Sequence, residues 1–212
     1  MKTEDLIRAL AADSMQPTIP VGRHLLRGFL AGAVLAVVVF TLTLQARSDL
    51  SKALRSPAFI YKLVVAASLA VTAGCLLSEC ARPLPIRGGR RTILLVAPVL
   101  LAFAVAVELY VQPAGLWLSR LVGQNATHCL WQIPFLATAP ALCLLVALLH
   151  GAPGRPALAG AVAGLVSGGL AALLYGLSCP DDSPLFVATW YTIAIGAVAG
   201  AMAFAGARLL RW

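Results

Sequence analysis

Charged residues are scarce in this chain: they make up 11% of its 212 residues, and acids are fewer than bases. A soluble domain usually carries about 25% charged residues, so the composition argues against a water-soluble globule. The formal net charge of +8 would suit a nucleic-acid binder. The basic residues, however, lie at the ends of long apolar runs, where Lys and Arg set the orientation of a membrane protein. The sequence therefore predicts an integral membrane protein that makes no direct contact with nucleic acid.

Motifs for catalysis and for ligand binding are also lacking. The chain contains no zinc-ligand spacing, P-loop, dinucleotide fingerprint or catalytic triad. Its five cysteines include no C-x-x-C pair, the motif typical of thiol–disulfide oxidoreductases. We therefore expect a protein that is not an enzyme and has no obligatory cofactor.

What the chain does have is long apolar runs, and these predict the fold class. A helix that crosses a bilayer needs about 20 mostly apolar residues, and a strand of a membrane barrel would alternate apolar and polar residues. The runs do not alternate, so they predict helices. The expected fold is an all-α, integral membrane six-helix bundle with a short cytoplasmic N-terminal helix. The predicted spans are about Phe29 to Leu44, Phe59 to Leu77, Thr92 to Val111, Leu130 to Leu149, Ala157 to Leu177 and Leu185 to Ala207.

The distribution of Lys and Arg predicts the orientation. If the N-terminus is cytoplasmic, most of the basic residues fall in cytoplasmic segments, as the positive-inside rule requires. The opening stretch is too polar for a cleavable signal peptide, so the first span is expected to be a retained signal anchor. Both termini are then cytoplasmic. The minority of basic residues predicted on the outer side are Arg47, Lys52, Arg55, Lys62 and Arg120.

Small residues recur every four positions in the last two spans. Gly160, Gly164 and Gly168 share one helix face, and so do Gly196 and Gly200. Such spacing lets helix backbones approach closely. We expect these faces to pack within one bundle, with a mobile contact or a homodimer interface as the alternative.

The N-terminal residues 3–13 predict a short amphipathic helix. Thr3 is a suitable N-cap, and the acids after it suit the first turn. Pro17 and Pro20 end the helix and begin a tether to the first span. So short a helix is marginal alone in water, so its apolar edge needs a lipid surface or a groove on a cytosolic protein. The candidate contact residues are Glu4, Asp5, Leu6, Ile7, Arg8 and Leu10.

Two cysteines lie where a span meets a polar loop on the predicted outer side. Cys129 begins the fourth span and Cys179 follows the fifth, so they approach each other if these helices pack together. A disulfide requires their Cα atoms to come within about 7 Å. Two thiolates also suit a soft ion such as Cu(I), with His128 as a possible third ligand. A permanent structural disulfide is the alternative explanation for both cysteines.

Four stretches carry a resemblance to a known family. They are MKTEDLI at residues 1–7, HCLWQIP at 128–134, RPALAG at 155–160, and CPDDSP at 179–184 followed by Trp190 and Tyr191. Together they resemble the NrsF-like family of bacterial membrane anti-sigma factors, over nearly the whole chain. The resemblance implies six transmembrane helices and an inner-membrane protein that holds an extracytoplasmic-function sigma factor inactive until stress arrives. Heavy metals and oxidants are the implied signals, and Cys129 and Cys179 are the implied periplasmic sensors.

The resemblance also implies a division of the chain. Residues 1–27 would form a cytoplasmic sigma-binding segment, and residues 28–212 a six-helix sensor domain in contact with membrane lipid. A membrane thiol–disulfide oxidoreductase and a small-solute transporter remain as alternatives. The transporter would need an inverted repeat with paired broken helices, and no such symmetry is evident.

Polar residues near the two cysteines are candidates for a supporting role. Asp181 and Asp182 could take up protons or orient a ligand, or simply be solvated in the loop. Glu108 is an acid within the third span, and it could face the cysteines or reach the outer interface; we expect the interface. Lys62 is expected to extend towards the interface and to pair with Glu108.

Overall fold

Six long helices form the molecule, in a computed structural model that describes residues 3–4, 20–82, 89 and 92–210. All six are long and apolar enough to cross a membrane, and no strand occurs among the described residues, so the predicted all-α bundle is confirmed. Two short helices, Leu50–Ala53 and Trp117–Val122, lie in the connections. The long helices are α1 (Val21–Thr43), α2 (Pro57–Cys80), α3 (Ile93–Val111), α4 (Ala126–Leu148), α5 (Pro156–Gly176) and α6 (Pro184–Leu209).

Helix starts follow local sequence chemistry. Proline is the first residue of α2, α5 and α6, where its missing N–H is not needed and its fixed φ suits a helix. Helix α1 begins at Val21, two turns before the predicted Phe29. Basic residues in those first turns lower the hydropathy, yet their long side chains suit a helix that continues into the headgroup region. The predicted segment boundary between residues 27 and 28 therefore falls inside α1.

Helix α5 lies at the centre of the bundle and packs closely on α6. A Cβ on Gly164 would fall 2.6 Å from the Cα of Ala199, and one on Gly206 would fall 2.6 Å from the carbonyl oxygen of Pro156. Gly160 lies equally close to the Met202 backbone, and Gly168 contacts Ile195 less tightly, with a Cβ falling 3.0 Å from the Ile195 side chain. Only glycine allows backbones this close, so the predicted packing role of the α5 glycines is confirmed.

The glycine pair in α6 behaves differently from its prediction. A Cβ added to Gly196 or Gly200 would meet nothing within 4 Å, and both residues are exposed. The expectation that this pair packs within the bundle is therefore wrong. The reason is helix phase: Gly206 is on the buried face of α6, whereas Gly196 and Gly200 are on the opposite side.

The remaining helices surround this centre. Helix α1 packs on α4, where Gly32 lies against Pro140. Helix α3 is peripheral and packs mainly on α2, which leaves an apolar cavity of about 270 Å³ among α2, α3, α5 and α6. At one end of the bundle, called the cysteine end below, α1, α3 and α5 finish and α2, α4 and α6 begin. Cys129 and Cys179 both lie at this end.

Candidate functional site

The cysteine end contains two buried thiols. Cys129 is in the first turn of α4 with 0% of its surface exposed, and Cys179 is in the α5–α6 connection with 2% exposed. Both are free thiols, so the permanent disulfide proposed as an alternative is not present in this structure. Each lies within electrostatic range of the ammonium group of Lys62, and the Cys129 thiol is also within range of Cys179. The fold therefore packs two cysteines from distant parts of the sequence into one buried region, called the chamber below.

Aromatic side chains complete the chamber. The hydroxyl groups of Tyr175 and Tyr191 lie beside the Cys179 thiol, and their rings are 5.9 Å apart. Phe186 packs edge-on against Tyr191 at 6.2 Å. Tyr191 belongs to a π-helical segment, Val187–Tyr191, a local expansion of α6 that is often found at functional sites. Its buried hydroxyl oxygen has no hydrogen-bond partner within the part of the chain that the structure describes.

The surroundings of Cys179 disfavour its thiolate. Burial raises the pKa of the Cys179 thiol above its usual value, because a thiolate is poorly solvated in an apolar chamber. The positive charge of Lys62 and the backbone around Asp181 oppose that rise. The raised pKa favours the protonated thiol at rest, whereas the thiolate is the form that acts as nucleophile and metal ligand.

Residues 179–184, called the strap below, cover the chamber, and Lys62 of α2 holds them. The Lys62 Nζ donates to the carbonyl oxygens of Cys179 at 3.0 Å and Asp181 at 3.4 Å, and to Oδ1 of Asp182 at 2.5 Å. Only 1% of the Lys62 side chain is exposed. The expectation that Lys62 pairs with Glu108 is wrong, whereas its ammonium group does extend to the loop at the cysteine end, where it is buried. A buried ammonium group needs a full set of acceptors, and the strap supplies three.

Arg47, from the α1–α2 connection, holds the strap from a second side. Its Nη1 donates to Oδ2 of Asp182 at 2.9 Å, while its other nitrogens donate to Asp49. These hydrogen bonds, chiefly that with Asp49, raise the pKa of Arg47 further and lower that of Asp49. The Arg47 and Lys62 cations lie 5.7 and 5.2 Å from the ring centre of buried Phe59. Asp182 therefore bridges two cations instead of being solvated in the loop.

Asp181 caps the start of α4. Its Oδ2 accepts hydrogen bonds from the backbone N–H of Gln124 at 3.1 Å and from the backbone and side-chain nitrogens of Asn125 at 2.9 and 3.0 Å. The turn depends on Gly123, whose φ of +58° is in the left-handed region, and a Cβ there would strike Phe186. A carboxylate at a helix N-terminus also interacts favourably with the helix dipole. This aspartate, too, is not simply a solvated loop residue.

Glu108 of α3 caps the start of α6. The carboxylate accepts hydrogen bonds from Ser183 Oγ at 2.8 and 3.0 Å, from the Leu185 N–H at 2.8 Å and from Arg120 Nη1 at 2.9 Å. Its side chain is only 5% exposed. The expectation that Glu108 reaches the outer interface is therefore wrong: it lies among protein groups and connects α3 to the strap.

The predicted metal ligands do not form a cluster in this structure. His128 is exposed, whereas the adjacent Cys129 points into the chamber. No group of three or more His, Cys, Asp or Glu side chains suited to a metal ion occurs in the described ranges. The two thiols alone still provide the soft donors that a thiophilic ion prefers.

Most of the predicted sigma-binding residues lie outside the described residues. These are Asp5, Leu6, Ile7, Arg8 and Leu10. Glu4 is described as helical and exposed, together with Thr3.

Sequence reasoning missed three contributors to the site. Arg47 was considered for membrane orientation only, Lys62 was assigned the wrong acidic partner, and Asn125 was not singled out. The sequence signal that Lys62 is paired is its type and depth, because a lysine one turn inside a span needs an acidic partner. The sequence does not show which of the nearby acids that partner is.

Comparison with known proteins identifies the family. The model of the family described as "Negative regulator of sigma F" matches residues 10–212. The anti-sigma-F factor NrsF of Caulobacter vibrioides (strain NA1000 / CB15N) is 38% identical over 223 aligned residues, which cover 100% of both chains. The probable anti-sigma-F factor NrsF of Azospira oryzae (strain ATCC BAA-33 / DSM 13638 / PS) is 32% identical, again over 100% of both. No solved structure matches the chain. The names of the relatives describe a regulatory rather than an enzymatic role, and the chain belongs to the NrsF family of negative regulators of sigma F.

Proposed function

We propose that this protein is an anti-sigma factor of the bacterial inner membrane that holds an extracytoplasmic-function sigma factor and releases it when Cys129 and Cys179 react. The observation that carries the proposal is the juxtaposition of these two free thiols in one buried chamber. A full-length match to relatives named as anti-sigma factors supports the partner class. The chamber supports a chemical input at the end of the bundle away from the chain termini.

The orientation follows from charge. Three of the five basic residues at the cysteine end, Arg47, Lys62 and Arg120, are in ion pairs with acids at that same end. The other eleven of the sixteen Lys and Arg residues belong to the terminal segments and connections on the opposite side of the spans. The positive-inside rule then assigns the opposite end, with both termini, to the cytoplasm. The cysteine end would face the periplasm, where thiols meet an oxidising environment.

Residues 1–27 are the proposed sigma-binding segment. Their cytoplasmic position gives them access to a sigma factor, and the amphipathic pattern around Leu6, Ile7 and Leu10 suits a groove on a folded partner. Glu4, Asp5 and Arg8 would contribute polar contacts at the edge. In this account the protein contacts its sigma factor and membrane lipid but no nucleic acid.

The proposed signal is a peroxide-type oxidant or a thiophilic metal ion. With a peroxide, the two thiols would form one S–S bond, the O–O bond would break, and the two thiol protons would leave in water and in the reduced peroxide. With Cu(I), both thiols would lose protons and the sulfur atoms would hold the ion. Either product ties α4 to the α5–α6 connection. The strap would then have to adjust, because its Cys179 carbonyl is bound by Lys62.

Transmission to the cytoplasmic end would use the close α5–α6 contact. Backbones as close as those at Gly164 and Gly206 cannot deform gradually, so a shift at one end moves the helix as a unit. Releasing most of a bound partner requires the signal to bias two states by a few kcal/mol, which a disulfide or a metal–thiolate bond can supply. A homodimer is part of the proposal as well: the exposed Gly196 and Gly200 form a small-residue face that a second copy can approach.

Co-purification tests the proposal. The sigma factor encoded next to this gene should co-purify with the membrane protein and be released by peroxide or copper. The Cys129→Ser/Cys179→Ser variant should still bind it and not release it. Cys75→Ser is the matched control, since Cys75 is an exposed thiol outside the chamber, and it should release like the wild type. Failure of every variant to bind a sigma factor under reducing conditions would refute the proposed function.

A further inference from the structure

The two thiols cannot be reached in the structure as it stands. Cys129 has none of its surface exposed and Cys179 has 2%. Part of the chamber wall must therefore open before a peroxide, a metal ion or an alkylating reagent can reach the thiols. When opening and reclosing are fast, the rate of modification follows the population of the open state. Whatever holds the wall closed then sets the sensitivity of the site.

The strap, residues 179–184, is the part of the wall with room to move. A cavity of about 590 Å³ lies between it and residues 119–124, and both carboxylate-bearing residues of the strap line this cavity. Pro180 is exposed on that side. The other walls of the chamber belong to long helices that pack along their length. An outward shift of the strap is the shortest route from water to Cys179.

Lys62 makes more contacts with the strap than any other side chain described. Its ammonium group donates hydrogen bonds to two strap carbonyl oxygens and to the Asp182 carboxylate. By comparison, a single strap side chain is bound by each of Arg47, Asn125 and Glu108. Glu108 also accepts a hydrogen bond from the Leu185 N–H, just beyond the strap. The Lys62 side chain is only 1% exposed, so loss of the Asp182 carboxylate would leave its charge without an acidic partner in a dry site.

We propose that Lys62 is a positioning residue that keeps the strap closed over Cys129 and Cys179 and so sets how fast reagents from water reach them. The partner that completes this lock is Asp182, which Lys62 shares with Arg47. Without the ammonium group, the Asp182 carboxylate turns towards water with Arg47, and the strap carbonyls lose their donor. The inference rests on the proposed function only for its biological meaning, because access to the thiols is measurable without a sigma factor.

The test is alkylation of single-cysteine forms of the full chain in native membranes. Each form keeps either Cys129 or Cys179, with the other cysteines changed to Ser, and its rate of reaction with a polyethylene glycol maleimide is followed by gel shift. Lys62→Met should raise the labelling rate of Cys179 about tenfold, even though it also removes the positive charge that favours the Cys179 thiolate, and Asp182→Asn should raise it about threefold. Lys52→Met is the matched control: Lys52 is an exposed lysine at the same end that makes no hydrogen bond or ion pair with the strap among the described residues, so the labelling rate should stay within about twofold of the wild type.

A third form, which keeps only Cys143 in the α1–α4 contact, reports loss of fold. If Lys62→Met also speeds labelling of Cys143, that variant has lost its fold. The labelling rate of the Asp182→Asn variant then decides whether the lock holds the strap closed. Rates for Asp182→Asn within about twofold of the wild type, with Cys143 still protected, would overturn the inference. Faster labelling without any cysteine-dependent release of a sigma factor would keep the strap inference and remove the proposed function. Cysteine-dependent release of the sigma factor with unchanged labelling rates would keep the proposed function and overturn the strap inference.

Discussion

Replacing Glu108 by alanine should destabilise the whole cysteine end, because the carboxylate serves three elements at once. The Leu185 N–H loses its acceptor in a buried site, and an unsatisfied buried N–H costs about 1–3 kcal/mol. The Ser183 hydroxyl loses a bond worth about 1 kcal/mol. Arg120 is 39% exposed, so its ion pair contributes about 0–1 kcal/mol. The expected loss in the free energy of unfolding is about 3 kcal/mol.

This loss can be measured as a melting temperature. For a chain of this size, about 3 kcal/mol corresponds to a decrease of roughly 6–12 °C. Far-UV circular dichroism in a mild detergent follows the melting. Glu108→Gln should lower the melting temperature by about half as much as Glu108→Ala. The amide keeps one acceptor oxygen, but its NH2 group faces groups that are donors themselves.

Arg120→Gln is the matched control for this prediction. It removes the ion pair while leaving the bonds of Glu108 to Ser183 and Leu185 intact, so it should lower the melting temperature by less than about 4 °C. Equal small decreases for Glu108→Ala and Arg120→Gln would refute the reasoning. They would mean that Glu108 acts as a surface ion-pair partner and does not cap α6.

Three further predictions concern packing, protonation and capping. Gly164→Val should lower the free energy of unfolding by about 1–3 kcal/mol or prevent folding, because Gly164 lies against the α6 backbone. Gly200→Val should leave thermal unfolding nearly unchanged, because Gly200 faces outward. Equal effects of the two substitutions would contradict the assigned faces of α5 and α6. The rate at which maleimide labels Cys179 should continue to rise above pH 8, because its raised pKa keeps the thiol protonated; a plateau at or below pH 8 would contradict this. Asp181→Ala should cost about 1 kcal/mol and speed hydrogen exchange in the first turn of α4, and unchanged exchange there would argue against the cap.

The membrane helices could be predicted from the sequence because bilayer thickness imposes a length that apolar runs reveal directly. All six runs are helices in the structure, although α1 extends to Val21 because the span prediction stops at charged residues that a helix tolerates near its end. The neighbouring positions of Cys129 and Cys179 were anticipated for a similar reason. Both lie at the same end of helices that follow each other in the chain, and such helices usually pack together.

The polar contacts of the site could not be predicted, because they join residues far apart in sequence. Lys62 had acids available at several positions, and only the path of the strap selects Asp182, which is 120 residues away. Glu108 was expected at the interface because hydropathy measures depth and does not show what a side chain meets inside a bundle. Gly196 and Gly200 have the same spacing as the α5 glycines, yet face outward, because spacing gives a shared face without saying which face is buried.

The central claim is that the chemistry of two buried thiols controls the hold on a sigma factor at the other end of the bundle. The most direct test is the dissociation rate of the labelled sigma factor from this protein in lipid nanodiscs, before and after addition of peroxide or Cu(I). The account predicts fast dissociation after the addition for the wild type, and an unchanged slow rate for the Cys129→Ser/Cys179→Ser variant. Equal acceleration in both proteins, or none in the wild type at concentrations that modify both thiols, would contradict it.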